Sequence, residues 1–237
     1  MLNNFHFDYD DFYEKLLEAS RKAFELLQQS YENENFYLLG LFTDAENMSI
    51  GIVGYSEEKL LEVAQKYLEA DRSKPSERQN YGGLSVEEMK IYLRYGMGSD
   101  AYLCPYSSYF DDINHSLVER HQTLFEIWSV AHKLADNLVL EGVAVEENKY
   151  AKVCCDVLRQ LDLEHIFGEK ENREKIYLTF LNGDLDCSNN SCPDLNPKNV
   201  IERYLKEFET EKGVYKIVNE NWERRRDYIF AKKKMNK

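Results

Sequence analysis

Three observations predict an α+β fold: a small, mostly antiparallel sheet packed against several helices, with a long central helix and a C-terminal helical extension. Short aromatic and β-branched runs at residues 36–43, 48–54 and 175–181 have the length and makeup of buried strands. Longer stretches place apolar residues at steps of three and four, the helical period. The chain has 237 residues, 43% hydrophobic and 13% aromatic, which is enough to build a core without disulfides or a structural metal.

The first helix opens at Asp8 or Asp10, plausible caps, and carries Phe12, Leu16, Ala23, Phe24 and Leu27 inward. Residues 36–43 follow as a strand. A turn at residues 44–47 then returns the chain through residues 48–54 as an antiparallel partner. Ser56 caps the next helix, residues 57–70. Pro75 and Gly82-Gly83 mark a loop over residues 71–84. Ser85 and Glu88 have capping-box spacing, yet residues 89–95 alternate, and Gly96 and Gly98 leave little room for a helix. A strand over residues 90–95 is therefore expected.

The strongest periodicity runs over residues 117–140, through Leu117, His121, Leu124, Trp128, Ala131 and Leu138, and predicts a long core helix closed by Gly142. A further helix covers residues 147–161. Asn196 before Pro197 reads as a cap for a helix over residues 197–209, and a last helix covers residues 214–233. These elements divide into one α+β domain, residues 1–212, and a helical basic extension, residues 213–237.

Charge narrows the function classes. The chain carries 43 acidic and 30 basic side chains, a net charge of −13. Residues 224–237 hold seven Lys and Arg against Asp227 alone, so the tail is +6 and the other 223 residues are −19. Such a body repels phosphate backbones and attracts basic surfaces, leaving nucleic acid a contact only through the tail. No apolar run reaches the length of a membrane span, and no secretory signal is visible, so a cytoplasmic location is expected. Cys104, Cys154, Cys155, Cys187 and Cys192 are an odd, scattered set that suits reduced thiols. Cys187 and Cys192 lack the second ligand pair of a zinc site.

Several phrases, in their order, resemble a bacterial family catalogued as domain of unknown function 4303. They are Asn35-Phe-Tyr-Leu-Leu-Gly-Leu-Phe-Thr-Asp44, Tyr55-Ser-Glu-Glu-Lys-Leu60, Phe167-Gly168, Ile176-Tyr-Leu-Thr-Phe180, Asp184 and Leu195-Asn-Pro197. The resemblance spans residues 10–210 and implies a fold, but no activity and no catalytic residue. The tail after Gly213 lies beyond it. Similarity in size, acidity and α+β makeup to bacterial toxin-immunity proteins suggests neutralisation of a toxin, by analogy.

No phosphate loop, nucleophile elbow, dinucleotide fingerprint or His-Glu-x-x-His is present, and no cofactor or metal is expected. His115 with Glu119 and His132 with Asp136 stand four apart without a third ligand. His121 falls in the apolar stripe, where a hydrogen-bonded core histidine is a simpler reading than a general base. His115, His121 and His132 are the acid-base candidates if the chain is an enzyme. The candidate binding residues are Tyr95, Tyr102, Tyr106 and Tyr109, with Asp111, Asp112 and Glu119 beside them. Tyrosine offers apolar area with a polar tip, so these rings either cap the sheet or form an interface. The sequence thus reads as an acidic binding protein with a basic protein partner such as a toxin domain, and it leaves the oligomeric state open.

Overall fold

The computed structural model describes residues 5–94, 102–182, 192 and 194–235. Strand β1 (Phe36–Thr43) is central: it pairs antiparallel with β2 (Ile50–Ser56) and parallel with β4 (Tyr177–Asn182), while β3 (Tyr102–Leu103) adds to the far edge of β2. The predicted α+β class, with a mostly antiparallel sheet, is what the chain adopts. Both sheet faces are covered. Leu39 and Leu41 of β1 and Ile50 and Ile52 of β2 pack against α1 (Tyr9–Ser30), α4 (Asp111–Leu134) and α5 (Asn137–Leu163). On the opposite face Leu38, Val53 and Tyr177 meet α2 (Glu57–Arg72), α3 (Val86–Leu93) and α7 (Lys198–Met235). The one-turn α6 (Lys170–Arg173) precedes β4.

Local chemistry explains the first half as read. Asp8 caps α1 by accepting from the backbone N–H groups of Asp10 and Asp11, at 3.2 and 3.0 Å, and Ser56 caps α2 by accepting from Lys59 N–H at 3.1 Å. Asp44 closes the β1–β2 turn, accepting from Met48 N–H at 2.8 Å and Ser49 hydroxyl at 2.7 Å. Gly40 lets β4 approach: a Cβ there would stand 2.1 Å from the Thr179 carbonyl oxygen.

Other expectations are corrected. The strand expected at residues 90–95 is instead helix α3. Both halves of the Ser85/Glu88 capping box form, and Met89 and Leu93, one turn apart, bury together. The third strand comes from Tyr102–Leu103. The helix expected over residues 117–140 stops at Leu134: Ala135 turns left-handed (φ 53°) and Asp136 caps a new helix by accepting from Val139 N–H at 3.3 Å. Gly142 therefore lies inside α5 and closes nothing. The two helices expected on either side of Gly213 are one, α7.

Asn196 is not a helix cap. Its side chain pairs with the backbone of Leu178, donating to the carbonyl at 2.7 Å and accepting from the N–H at 2.8 Å, in place of a neighbouring strand. Arg173 secures the same region, donating to Asp162 at 2.6 Å and to the carbonyls of Ile176 and Leu195 at 2.7 and 3.1 Å.

The expectation of reduced cysteines is also corrected. Cys155 of α5 and Cys192, 37 residues apart, form a disulfide across a Cα separation of 5.7 Å. Tertiary packing brings them together in the α1–α5 core, which no local spacing reveals. Cys104 and Cys154 remain free thiols, both pushed above the ordinary thiol range by burial. Among the described residues no helix is long and apolar enough to cross a membrane.

The disulfide restricts the unfolded chain, so its loss should show as lower stability without loss of fold. Converting both Cys155 and Cys192 to Ser is expected to reduce unfolding free energy by about 3–4 kcal/mol, a loss measurable by urea titration. Reductant should produce the same change in the parent chain and none in the double variant.

Candidate functional site

The most unusual surface is an arm formed by the distal halves of α4 and α5. Near the sheet, α4 buries Ile113, Leu117 and Leu124, and α5 buries Tyr150, Cys154, Val157 and Leu158. Between residues 125 and 149, Ala131 alone is buried. That stretch nevertheless displays Phe125 (55% exposed), Trp128, Leu134 (66%), Leu138 (81%) and Val145. An amphipathic hairpin of this composition would ordinarily bury those side chains against another layer.

One flank of α4 carries a continuous aromatic ladder. His121, Phe125, Trp128 and His132 follow at steps of four, three and four, so they share one face and span about 16 Å at 1.5 Å per residue. Successive ring centroids lie 6.0, 6.0 and 5.0 Å apart, with interplanar angles of 19°, 24° and 10°. Sequence periodicity places His121 and Trp128 in the core; the structure corrects this. The buried stripe of α4 is Leu117, Arg120, Leu124 and Ala131, so the ladder is displaced by one residue, or about 100°, toward solvent. His121 is half-buried on Phe125, and His132 is exposed against Trp128.

The charge around this surface is one-sided. Residues 111–148 hold eight carboxylates against Arg120 and Lys133, a net charge of −6. Arg120 is withdrawn beneath the arm: fully buried, it donates to Glu147 at 3.2 Å and to the Glu146 carbonyl at 2.9 Å, and its guanidinium lies 5.1 Å from the Tyr150 ring centroid. That leaves acidic groups such as Glu119, Glu126, Asp136 and Glu141 to set the field outside.

Of the binding residues the sequence points to, Tyr95 lies outside the described residues. The Tyr102 ring lies tilted against Tyr31, centroids 4.2 Å apart, and its hydroxyl donates to Glu34 at 2.7 Å; burial and that carboxylate hold its phenol well above the ordinary range. Tyr106 shares a 2.8 Å hydrogen bond with Ser30 at the end of α1. These two rings close the edge of the core. Tyr109, Asp111, Asp112 and Glu119 are exposed beside them, with Glu119 3.5 Å from His115. The structure thus gathers Tyr109 and the acidic residues at the base of the arm. The apolar residues of its tip have no local motif to announce them: their exposure depends on which layer α4 and α5 fail to reach.

A separate cleft of about 490 Å³ opens at the N-terminal ends of β1 and β4. Phe36, Tyr37 and Phe167 form part of its wall, and Arg94 makes a two-pronged ion pair with Glu57, at 2.6 and 2.7 Å, over the Tyr37 ring. Segments that carry the family resemblance, around Asn35, Glu57, Phe167-Gly168 and Ile176, meet there. His115, His121 and His132 line neither this cleft nor those of about 310 and 590 Å³. Among the described residues, no three His, Cys, Asp or Glu side chains stand together as metal ligands.

A family model described as a domain of unknown function (DUF4303) matches residues 16–197 of the chain. No match is found among curated proteins, and none among solved structures. The match ends where α7 begins, so that helix and its basic end lie outside the matched region.

Structural tyrosines should be separable from exposed ones by titration. Burial pushes Tyr9 and Tyr81 up to about 12, Tyr9 despite the opposing charge of Arg120. Both phenols are therefore favoured in protonated form by the fold. Their contribution to stability is complete below the unfolded value near 10 and disappears as pH rises toward 12. Ultraviolet difference absorbance should show a group of tyrosines ionising late and together with loss of structure; normal ionisation of all of them in the folded chain would contradict this.

Proposed function

The chain belongs to the DUF4303 family, and from that premise we propose that it is an acidic protein-recognition module. Its function is of the kind an immunity protein performs in neutralising a basic toxin domain, with the α4–α5 arm as the binding surface. The carrying observation is that residues 125–149 bury Ala131 alone while presenting Phe125, Trp128, Leu134 and Leu138. Exposed apolar side chains concentrated on one hairpin mark association sites, and aromatic anchors commonly carry most of an interface's energy. The surrounding carboxylates steer a cationic partner to the arm and repel anionic ones.

Acid-base catalysis has less support, since the three candidate histidines sit on the outer side of α4 and line none of the three clefts. Stacked on one another's neighbours, His121 and His132 extend the apolar ladder as flat rings, the role for which an interface selects aromatic groups.

Pull-down with the products of neighbouring genes tests the proposal. A basic partner should be retained at about 50 mM salt and largely released at about 500 mM, because a contact of this type is screened within a few ångströms at high ionic strength. Trp128→Ala should weaken retention by about tenfold or more, as expected for an interface anchor, while circular dichroism stays unchanged. Retention unaffected by Trp128→Ala and Phe125→Ala would remove the arm from recognition. Failure to protect cells from a co-encoded toxin would remove the immunity role.

A further inference from the structure

We infer that a second copy of this chain occupies the arm, through the basic aromatic end of its α7. The inference rests on the reading of the arm as a recognition surface and names a partner for it. Three observations carry it. First, α7 exposes Trp222, Ile229 and Phe230 on one face with Arg226 among them; the Arg225 guanidinium lies 5.6 Å from the Trp222 ring centroid, and Arg226 lies 3.6 Å from Asp227. Second, the charges are complementary: −6 over residues 111–148 and +6 over residues 224–237. Third, the two surfaces belong to layers on opposite faces of the sheet. α4 and α5 cover one face of the sheet, whereas α7 covers the other, held by Asn221 donating to the Gly82 carbonyl at 3.0 Å and Arg225 donating to Asn80 at 2.7 Å.

Charge decides which surface of the second copy binds. Two arms brought face to face would place like charges together, a juxtaposition that opposes association. An α7 end laid along an arm brings Trp222 and Phe230 to the Phe125–Trp128 ladder with Arg226 near Glu126 and Glu141. Mutual exchange, α7 of each copy on the arm of the other, satisfies both surfaces in a closed pair. The −13 charge of each chain opposes encounter at a distance, but that repulsion is screened beyond about 8 Å at physiological salt, and contact pairs are screened less.

Sedimentation velocity on the full chain, over a concentration series at about 50 and about 500 mM salt, tests this. The parent chain should self-associate at low salt and dissociate at high salt. Arg226→Glu, and separately the pair Glu126→Lys and Glu141→Lys, should each weaken association about tenfold, and mixing the two variants should restore it. A monomer at every concentration, association that survives both charge reversals, or no rescue on mixing would overturn the inference. So would a tail that binds nucleic acid in a mobility-shift assay while the reversals leave self-association unchanged. If self-association is absent yet a basic partner still requires Trp128, only this inference fails. If Trp128→Ala alters neither, the reading of the arm fails with it.

Discussion

The architecture follows from β1, a strand apolar on both faces that must be covered on both. Leu39 and Leu41 demand one layer of helices and Leu38 another, while Gly40 brings β4 close enough to complete the backbone pairing. β4 is parallel to β1 and arrives more than 130 residues later, so most of the chain lies in the connection between neighbouring strands. That connection supplies α2 and α3 to one face and α4 and α5 to the other. The clamp by Arg173, Asn196 and the Cys155–Cys192 disulfide fixes its return.

The same arrangement produces the arm. A layer needs only enough helix to cover a sheet of four short strands, and the first turns of α4 with the last turns of α5 suffice. The remaining turns extend past the sheet with their apolar residues still in place. Arg120 stabilises the junction, where a buried guanidinium is tolerable because Glu147, the Glu146 carbonyl and the Tyr150 ring surround it.

Legibility varied with the range of the deciding interaction. Asp8, Asp44 and Ser56 act within a few residues, and the elements they start or close are where sequence reading places them. At Ser85 two local signals conflict. The capping box prevails because Met89 and Leu93 find α2 and α7 to pack on, a partner invisible to alternation counts. Asn196 is an instructive miss: an Asn before a Pro suits a cap, but a bare strand edge beside it offers the amide two stronger partners at once. At the candidate site, Tyr109, Asp111, Asp112 and Glu119 are legible as surface groups, whereas the ladder reads as core because a periodic stripe looks alike whether or not a layer covers it.

By itself the sequence determined the α+β class, the starts of α1 and α2 and the division between an acidic body and a basic end, since composition, capping and periodicity act locally or simply add. Only the tertiary structure decided which apolar stripe is buried, which cysteines meet, and that the acidic arm and the basic end of α7 belong to opposite faces of one sheet. These outcomes depend on side chains far apart in the chain competing for limited apolar surface, and that competition has no local signature.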